Sequence, residues 1–159
     1  MSRSERAAAT NARRRARSLS IQALYQWQLT GDDPGEIIVQ FVEGRDMDGA
    51  DLDYFRDLMR ALPARLEAVD AAIEPFLERS LALVDPVERA ILRLACFELQ
   101  ERWEVPARVV IDEAVELAHR FGAEQGHRFI NGIVDRLAHT LRASEMGSRR
   151  GRAGTTSEG

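Results

Sequence analysis

The sequence has no lysine: all 22 of its basic side chains are arginine. A P-loop needs a lysine on its phosphates and a Schiff-base enzyme needs an amine, so both classes are excluded. Cysteine is nearly as scarce. Cys96 stands alone, which rules out a disulfide framework and favours a reducing compartment, and its place in an apolar run marks it as a buried, inert thiol. No apolar run reaches the roughly 20 residues of a membrane-spanning helix, and no hydrophobic stretch follows the N-terminal charges as a secretory signal requires. The expectation is a cytoplasmic protein with no membrane partner. The Arg- and Ser-rich, acid-poor start also suits an organelle transit peptide, but helical periodicity runs on into Tyr25 and Trp27 without a cleavage-like break. Histidine occurs only at His119, His127 and His139, and neither an HExxH motif nor a Cys/His ligand set is present. No metal and no cofactor is expected. Ser18 and Ser20 lack a nucleophile-elbow context, and Asp112, Glu113 and Glu116 read as a solvated helix face, so the chain is not expected to be an enzyme.

The positive charge that is present is unevenly placed. Residues 1–30 hold six Arg and one acid (+5), residues 31–140 hold 12 Arg and 23 acids (−11), and residues 141–159 hold four Arg and two acids (+2). The net charge of −4 conceals this. An acidic body repels nucleic acid at long range, so binding would be focused where the arginines gather and would weaken steeply with salt. Arg13-Arg14-Arg15-Ala16-Arg17 runs directly into Leu19-Ser20-Ile21-Gln22-Ala23-Leu24-Tyr25-Gln26-Trp27, so the cationic segment opens an amphipathic helix.

Helical periodicity dominates and strand alternation is nearly absent, which makes the chain all-α with about six or seven helices. With 159 residues and 45% hydrophobic content it fits one domain, or two tightly fused halves. The first helix is predicted from about Ala12 to Thr30, stopping at Gly31, with Ala16, Ser20, Ala23, Leu24 and Trp27 as its buried stripe. Asp33-Pro34-Gly35-Glu36 is a capping box that opens a short helix through Ile37, Ile38, Phe41 and Val42, and Gly44 ends it. From Phe55 to Phe76 apolar residues recur at steps of three and four, and Pro63 and Pro75 predict a kink or break. Asp85-Pro86-Val87-Glu88 repeats the capping box before a helix apolar almost all round, the expected centre of the core. A stripe from Val110 to Phe121 ends at Gly122, read as a C′ glycine, and a last helix carries Ile130, Ile133, Val134, Leu137 and Leu141.

On a helical wheel, Arg14, Arg15, Ser18, Gln22 and Tyr25 lie opposite the buried stripe, with Ile21 and Leu29 on the same side. Guanidinium forks, an amide and an aromatic ring are the set that contacts phosphates and unstacked bases of single-stranded RNA. The competing reading is a solvated charged face, which has no need of an exposed Tyr25 or Ile21. Phe129, between Arg128 and the nearby Asn131, is either a boundary core residue or a stacking platform. Glu88 is accounted for as a capping-box acid, and a partner contact there would be an added role.

The segments Ala12-Arg-Arg-Arg-Ala-Arg17, Gln22-Ala-Leu-Tyr-Gln-Trp-Gln28, Asp53-Tyr-Phe-Arg-Asp-Leu58, Val87-Glu-Arg-Ala-Ile-Leu-Arg93, Val105-Pro106, Ile111-Asp-Glu-Ala-Val-Glu-Leu-Ala118, Phe121-Gly-Ala-Glu124 and Arg128-Phe-Ile-Asn-Gly-Ile133 resemble the NusB family in order and register. Each is weak alone; eight together are specific. The resemblance implies a NusB-like fold of two fused three-helix bundles and a role in antitermination during ribosomal RNA synthesis. It implies binding of single-stranded boxA RNA in nascent leaders together with NusE, within the RNA polymerase antitermination complex. Carried over by position, it assigns Arg13, Arg14, Arg15 and Arg17 to RNA, and Tyr25, Glu88 and Phe129 to RNA or NusE; Ser18, Gln22, Arg128 and Asn131 join the RNA-facing set. The expected organisation is a flexible extension over residues 1–11, the helical RNA-binding domain over 12–142 and a disordered tail over 143–159. Gln125-Gly126 departs from the acid and serine that close members carry there. Two alternatives stand beside this: the NusB-like domain of an rRNA cytosine-5 methyltransferase, and a helical protein–protein adaptor that does not bind RNA.

Overall fold

The computed structural model describes residues 1–147. Its α-helices are α1 (Arg3–Thr30), α2 (Pro34–Gly44), α3 (Leu52–Ala64), α4 (Leu66–Ile73), α5 (Pro86–Glu101), α6 (Ala107–Phe121) and α7 (Gly126–Leu141). Short 3₁₀ turns at Glu74–Phe76 and Leu81–Leu83 lie between α4 and α5. Among the described residues there is no strand, as the periodicity predicts. The chain divides into two compact units, residues 1–66 and the residues from Glu67 onward. Each is built on three mutually packed helices, α1 with α2 and α3 in the first, and α5 with α6 and α7 in the second.

Local capping chemistry sets most boundaries. The side chain of Asp33 accepts from the Glu36 N–H, and that of Asp85 accepts from the N–H groups of Val87 and Glu88, with Pro34 and Pro86 at the first helical positions. Such a cap contributes about 1 kcal/mol. Gly31 closes α1 in the left-handed region at φ 71°, its N–H donating to the Trp27 carbonyl. Pro63 and Pro75 interrupt the long apolar face as expected: α3 ends just past Pro63, and Pro75 sits in the 3₁₀ turn that follows α4.

The first unit is closed by Ile37, Ile38 and Phe41 of α2 against Phe55, Leu58 and Met59 of α3, with the Phe41 and Phe55 ring centroids 5.8 Å apart. In the second, α5 is buried through Ala90, Ile91, Leu92, Leu94, Ala95, Cys96, Phe97 and Leu99. The Cys96 thiol is pushed up to about 12 by burial and, secondarily, by the nearby Asp70 carboxylate, and its Sγ lies 3.5 Å from the Val69 carbonyl. It is the inert core thiol that the sequence predicts. Arg93 and Asp70 form a bidentate pair, both hydrogen bonds 2.9 Å, that ties α5 to α4.

Four boundaries and exposures differ from expectation. The first helix starts at Arg3 rather than near Ala12, because Ser2 caps it by accepting from the Glu5 N–H and Ala7, Ala8 and Ala9 are strong helix formers. Ser18 and Ile21 are buried rather than facing solvent, and Trp27 is only half-buried. The helical wheel assumed one packing partner, whereas α1 packs on both α2 and α3 and so buries a wider arc. Gly122 is extended (φ −84°, ψ 171°), not left-handed; a Cβ there would come within 2.7 Å of the Ala118 carbonyl oxygen. The glycine is required by close backbone approach. Residues 143–147 form a further helical turn, with Met146 buried, where a tail was expected from residue 143. The rest of that expected tail, residues 148–159, lies outside the described residues.

Candidate functional site

In the first unit, the arginines of α1 have diverging environments. The Arg13 guanidinium lies over the Tyr54 ring at 4.1 Å, and its Nε is 3.9 Å from the Asp51 carboxylate. Arg15 is exposed but donates from Nη2 to the Asp46 carbonyl at 2.7 Å, with that residue's carboxylate 3.7 Å away. Arg14 is exposed. Arg17 is only 3% exposed and sits 5.6 Å from the Tyr54 ring centroid. Arg17 is withdrawn from water where α1 meets α3, and neither it nor the buried Ser18 stands on the solvent face of α1. Gln22 is half-buried, accepting from Arg45 Nη1 at 2.6 Å, while Tyr25 is 39% exposed and Leu29 lies farther out on the same helix. The solvent face of α1 thus carries Arg14, Arg15 and Tyr25, with Arg13 and Gln22 at its edge.

The second unit brings Glu88, Arg128 and Phe129 to one groove of about 640 Å³, where Arg79 and Arg136 join them. Phe129 is 37% exposed, an unusual position for a phenyl ring on a helix whose other apolar residues are largely buried. Asn131 is exposed on α7 but does not line this groove. The Glu88 carboxyl is raised above the ordinary carboxylate range, first by burial and then by the neighbouring Asp85, with Arg79 opposing. Gly126 makes room for it: a Cβ there would stand 2.5 Å from Glu88 Oε1. The preceding Gln125 takes the left-handed conformation, φ 74°, that starts α7. The departure from the family pattern at Gln125-Gly126 therefore has a structural meaning, since the glycine lets the Glu88 carboxylate lie against the helix start.

Sequence reasoning missed Arg79 and Arg136. Arg136 was findable, being seven residues, about two turns, beyond Phe129 on the same face of α7. Arg79 was not, because the segment between α4 and α5 has no helical period to place it. His119 and His127, read only as straddling a break, have stacked rings with centroids 4.2 Å apart. Among the described residues no group of three or more His, Cys, Asp or Glu could hold a metal ion, and no helix is long and apolar enough to cross a membrane.

A family model described as the NusB family matches residues 14–139, most of the chain. The chain belongs to the NusB family. Among relatives, the transcription antitermination protein NusB of Nitrosococcus oceani is 50% identical over 140 residues, covering 88% of this chain and 94% of that protein. Its counterpart in Alkalilimnicola ehrlichii is 49% identical, covering 90% and 91%. Solved structures agree. NusB of T. maritima superimposes with a TM-score of 0.70 at 34% identity, covering 79% of this chain and 89% of that one. A chain from the crystal structure of a plectonemic RNA supercoil gives 0.74 at 29% identity, covering 82% and 96%. The NusB assignment makes this chain a transcription antitermination factor of a non-enzymatic family, and it is all-helical as the family resemblance implies.

Proposed function

We propose that this NusB-family protein binds single-stranded boxA RNA of nascent ribosomal RNA leaders together with NusE, and thereby joins the RNA polymerase antitermination complex in the cytoplasm. The observation that carries this reading is the solvent face of α1, where Arg14 and Arg15 stand on the same helix as the half-exposed Tyr25. Arginines neutralise phosphates and a tyrosine ring stacks on an unpaired base, so the pair of features suits single-stranded RNA better than a face serving solubility alone. Arg13 and Gln22 flank it, and Arg128, Phe129 and Asn131 are the RNA-facing candidates on α7. Tyr25, Glu88 and Phe129 are the candidates for NusE contact. The relatives that match over nine-tenths of their own length are antitermination proteins, which favours this reading over the methyltransferase-domain alternative.

The mechanism is assembly. NusE and RNA each bury part of the other's surroundings, so the two proteins together hold boxA more tightly than either alone. Titration of boxA RNA and a scrambled control, with and without NusE, tests this. The expected result is preference for boxA and a gain of at least about tenfold, 1.4 kcal/mol, on adding NusE. Equal affinity for the two RNAs with no gain from NusE rejects the proposal.

Phe129 separates stacking from packing. Phe129→Ala is expected to cost about 1–3 kcal/mol of RNA binding, the worth of one base stacked on an aromatic ring, while thermal unfolding stays within a few degrees of wild type. A large drop in stability with intact binding would make the ring a boundary core residue instead.

A further inference from the structure

We infer that residues 3–11, the N-terminal overhang of α1, form a rigid arm that grips the phosphate backbone of RNA flanking the bound core sequence. This rests on the RNA-binding reading above and extends it to a segment that lies before the family match, which begins at residue 14. Every residue from Met1 to Asn11 is exposed, and the first tertiary hydrogen bond to α1 is the Asp51 N–H donating to the Ala12 carbonyl at 3.0 Å. The overhang is nevertheless helical from Arg3. An isolated helix of this length would be marginal in water, but here nucleation is supplied by the packed part of α1, and Ala7, Ala8 and Ala9 propagate it. At 1.5 Å per residue the arm reaches roughly 14 Å beyond the packed part.

Its charge is sorted by face. At 100° per residue, Arg3, Arg6, Thr10 and Arg14 fall within an arc of about 80°, so the arm carries the cationic line of α1 onward in register. The segment's lone acid, Glu5, projects well away from that arc and sits in the first turn, where it suits the helix dipole. Arg6 donates to the Met1 carbonyl at 2.8 Å, an exposed contact that a phosphate can replace. A face with no protein packed on it, bearing guanidinium groups of one sign in line with Arg14, fits a polyanionic strand and not an apolar or cationic partner.

The test measures affinity against salt for full-length protein with three RNAs: core boxA RNA, and the same core with an oligouridine flank on its 5′ or its 3′ side. One flank is expected to steepen the log–log salt dependence by about 1.4, two single-strand phosphate contacts at about 0.7 each. The Arg3→Ala/Arg6→Ala variant should lose that increment and bind the core RNA as wild type does, and Arg3→Lys/Arg6→Lys should largely keep it. Ala8→Pro retains every charge but breaks the helix, and it too should lose the increment. Flanks without effect on the wild type overturn the arm, as does an Ala8→Pro variant that keeps the full increment, which would indicate a flexible basic tail. Either result leaves core binding untouched; failure of the core RNA itself to bind overturns the RNA reading and the arm with it.

Discussion

Arg142→Ala is expected to destabilise the second unit by about 3–5 kcal/mol, the usual cost of removing one member of a buried, charged network. Arg142 follows α7 and is 1% exposed. Its Nε donates to the Leu99 carbonyl at 2.9 Å, Nη1 to the Val105 carbonyl at 3.0 Å, and Nη2 to the carbonyls of Glu98 at 3.2 Å and Arg102 at 3.0 Å. Glu98 and Leu99 lie in the last turn of α5, where carbonyls run short of backbone partners, although that of Glu98 also accepts from the Arg102 N–H at 2.9 Å. One guanidinium therefore caps α5 from more than 40 residues away, and its Cζ lies over the Trp103 ring, 4.3 Å from the centroid. Glu145 completes the arrangement. Its Oε1 accepts from Arg142 Nη1 at 3.1 Å, and its Oε2 accepts from the Ala107 N–H at the start of α6, where Pro106 provides no side-chain cap. Arg142→Lys should recover little, because an ammonium has three donors and none of the planar fork that spans four carbonyls. Denaturant unfolding checks this: an unfolding free energy within about 1 kcal/mol of wild type for Arg142→Ala would show the carbonyls satisfied by water instead.

That contact also shows what the sequence could disclose. Asp33 and Asp85 announce their helices within four residues, and the structure has both caps. Pro63 and Pro75 break the apolar face from within it. The helix after Asp85, apolar almost all round, reads as the central one, and α5 is buried along most of its length. The role of Arg142, by contrast, has no local signal, since the carbonyls it binds lie 37 to 44 residues away. The burial of Arg17 is hidden from the sequence for the same reason. It stands in a run of arginines whose neighbours Arg14 and Arg15 are exposed, whereas Arg17 itself is buried with Tyr54 of α3 nearby. Exposure on the solvent face of one helix is legible in the sequence, and burial decided by a second helix is not.

Replacing both Arg14 and Arg15 with alanine is expected to leave stability within about 0.5 kcal/mol, because both are surface residues whose contacts are solvent-screened. Arg15 gives up its hydrogen bond to the Asp46 carbonyl, and that carbonyl is exposed enough to be taken over by water. RNA binding should fall by roughly tenfold or more, since charge-assisted contacts are each worth about 1.5–3 kcal/mol before competition with water and with the Asp46 carbonyl. The loss should be shared by boxA and scrambled RNA, because phosphates carry no sequence. The most direct measurement is therefore the salt dependence of boxA affinity for the wild type and for the Arg14→Ala/Arg15→Ala variant. A log–log slope flatter by about 1.4 in the variant is the predicted result; an unchanged slope and affinity would contradict the placement of the RNA face on α1.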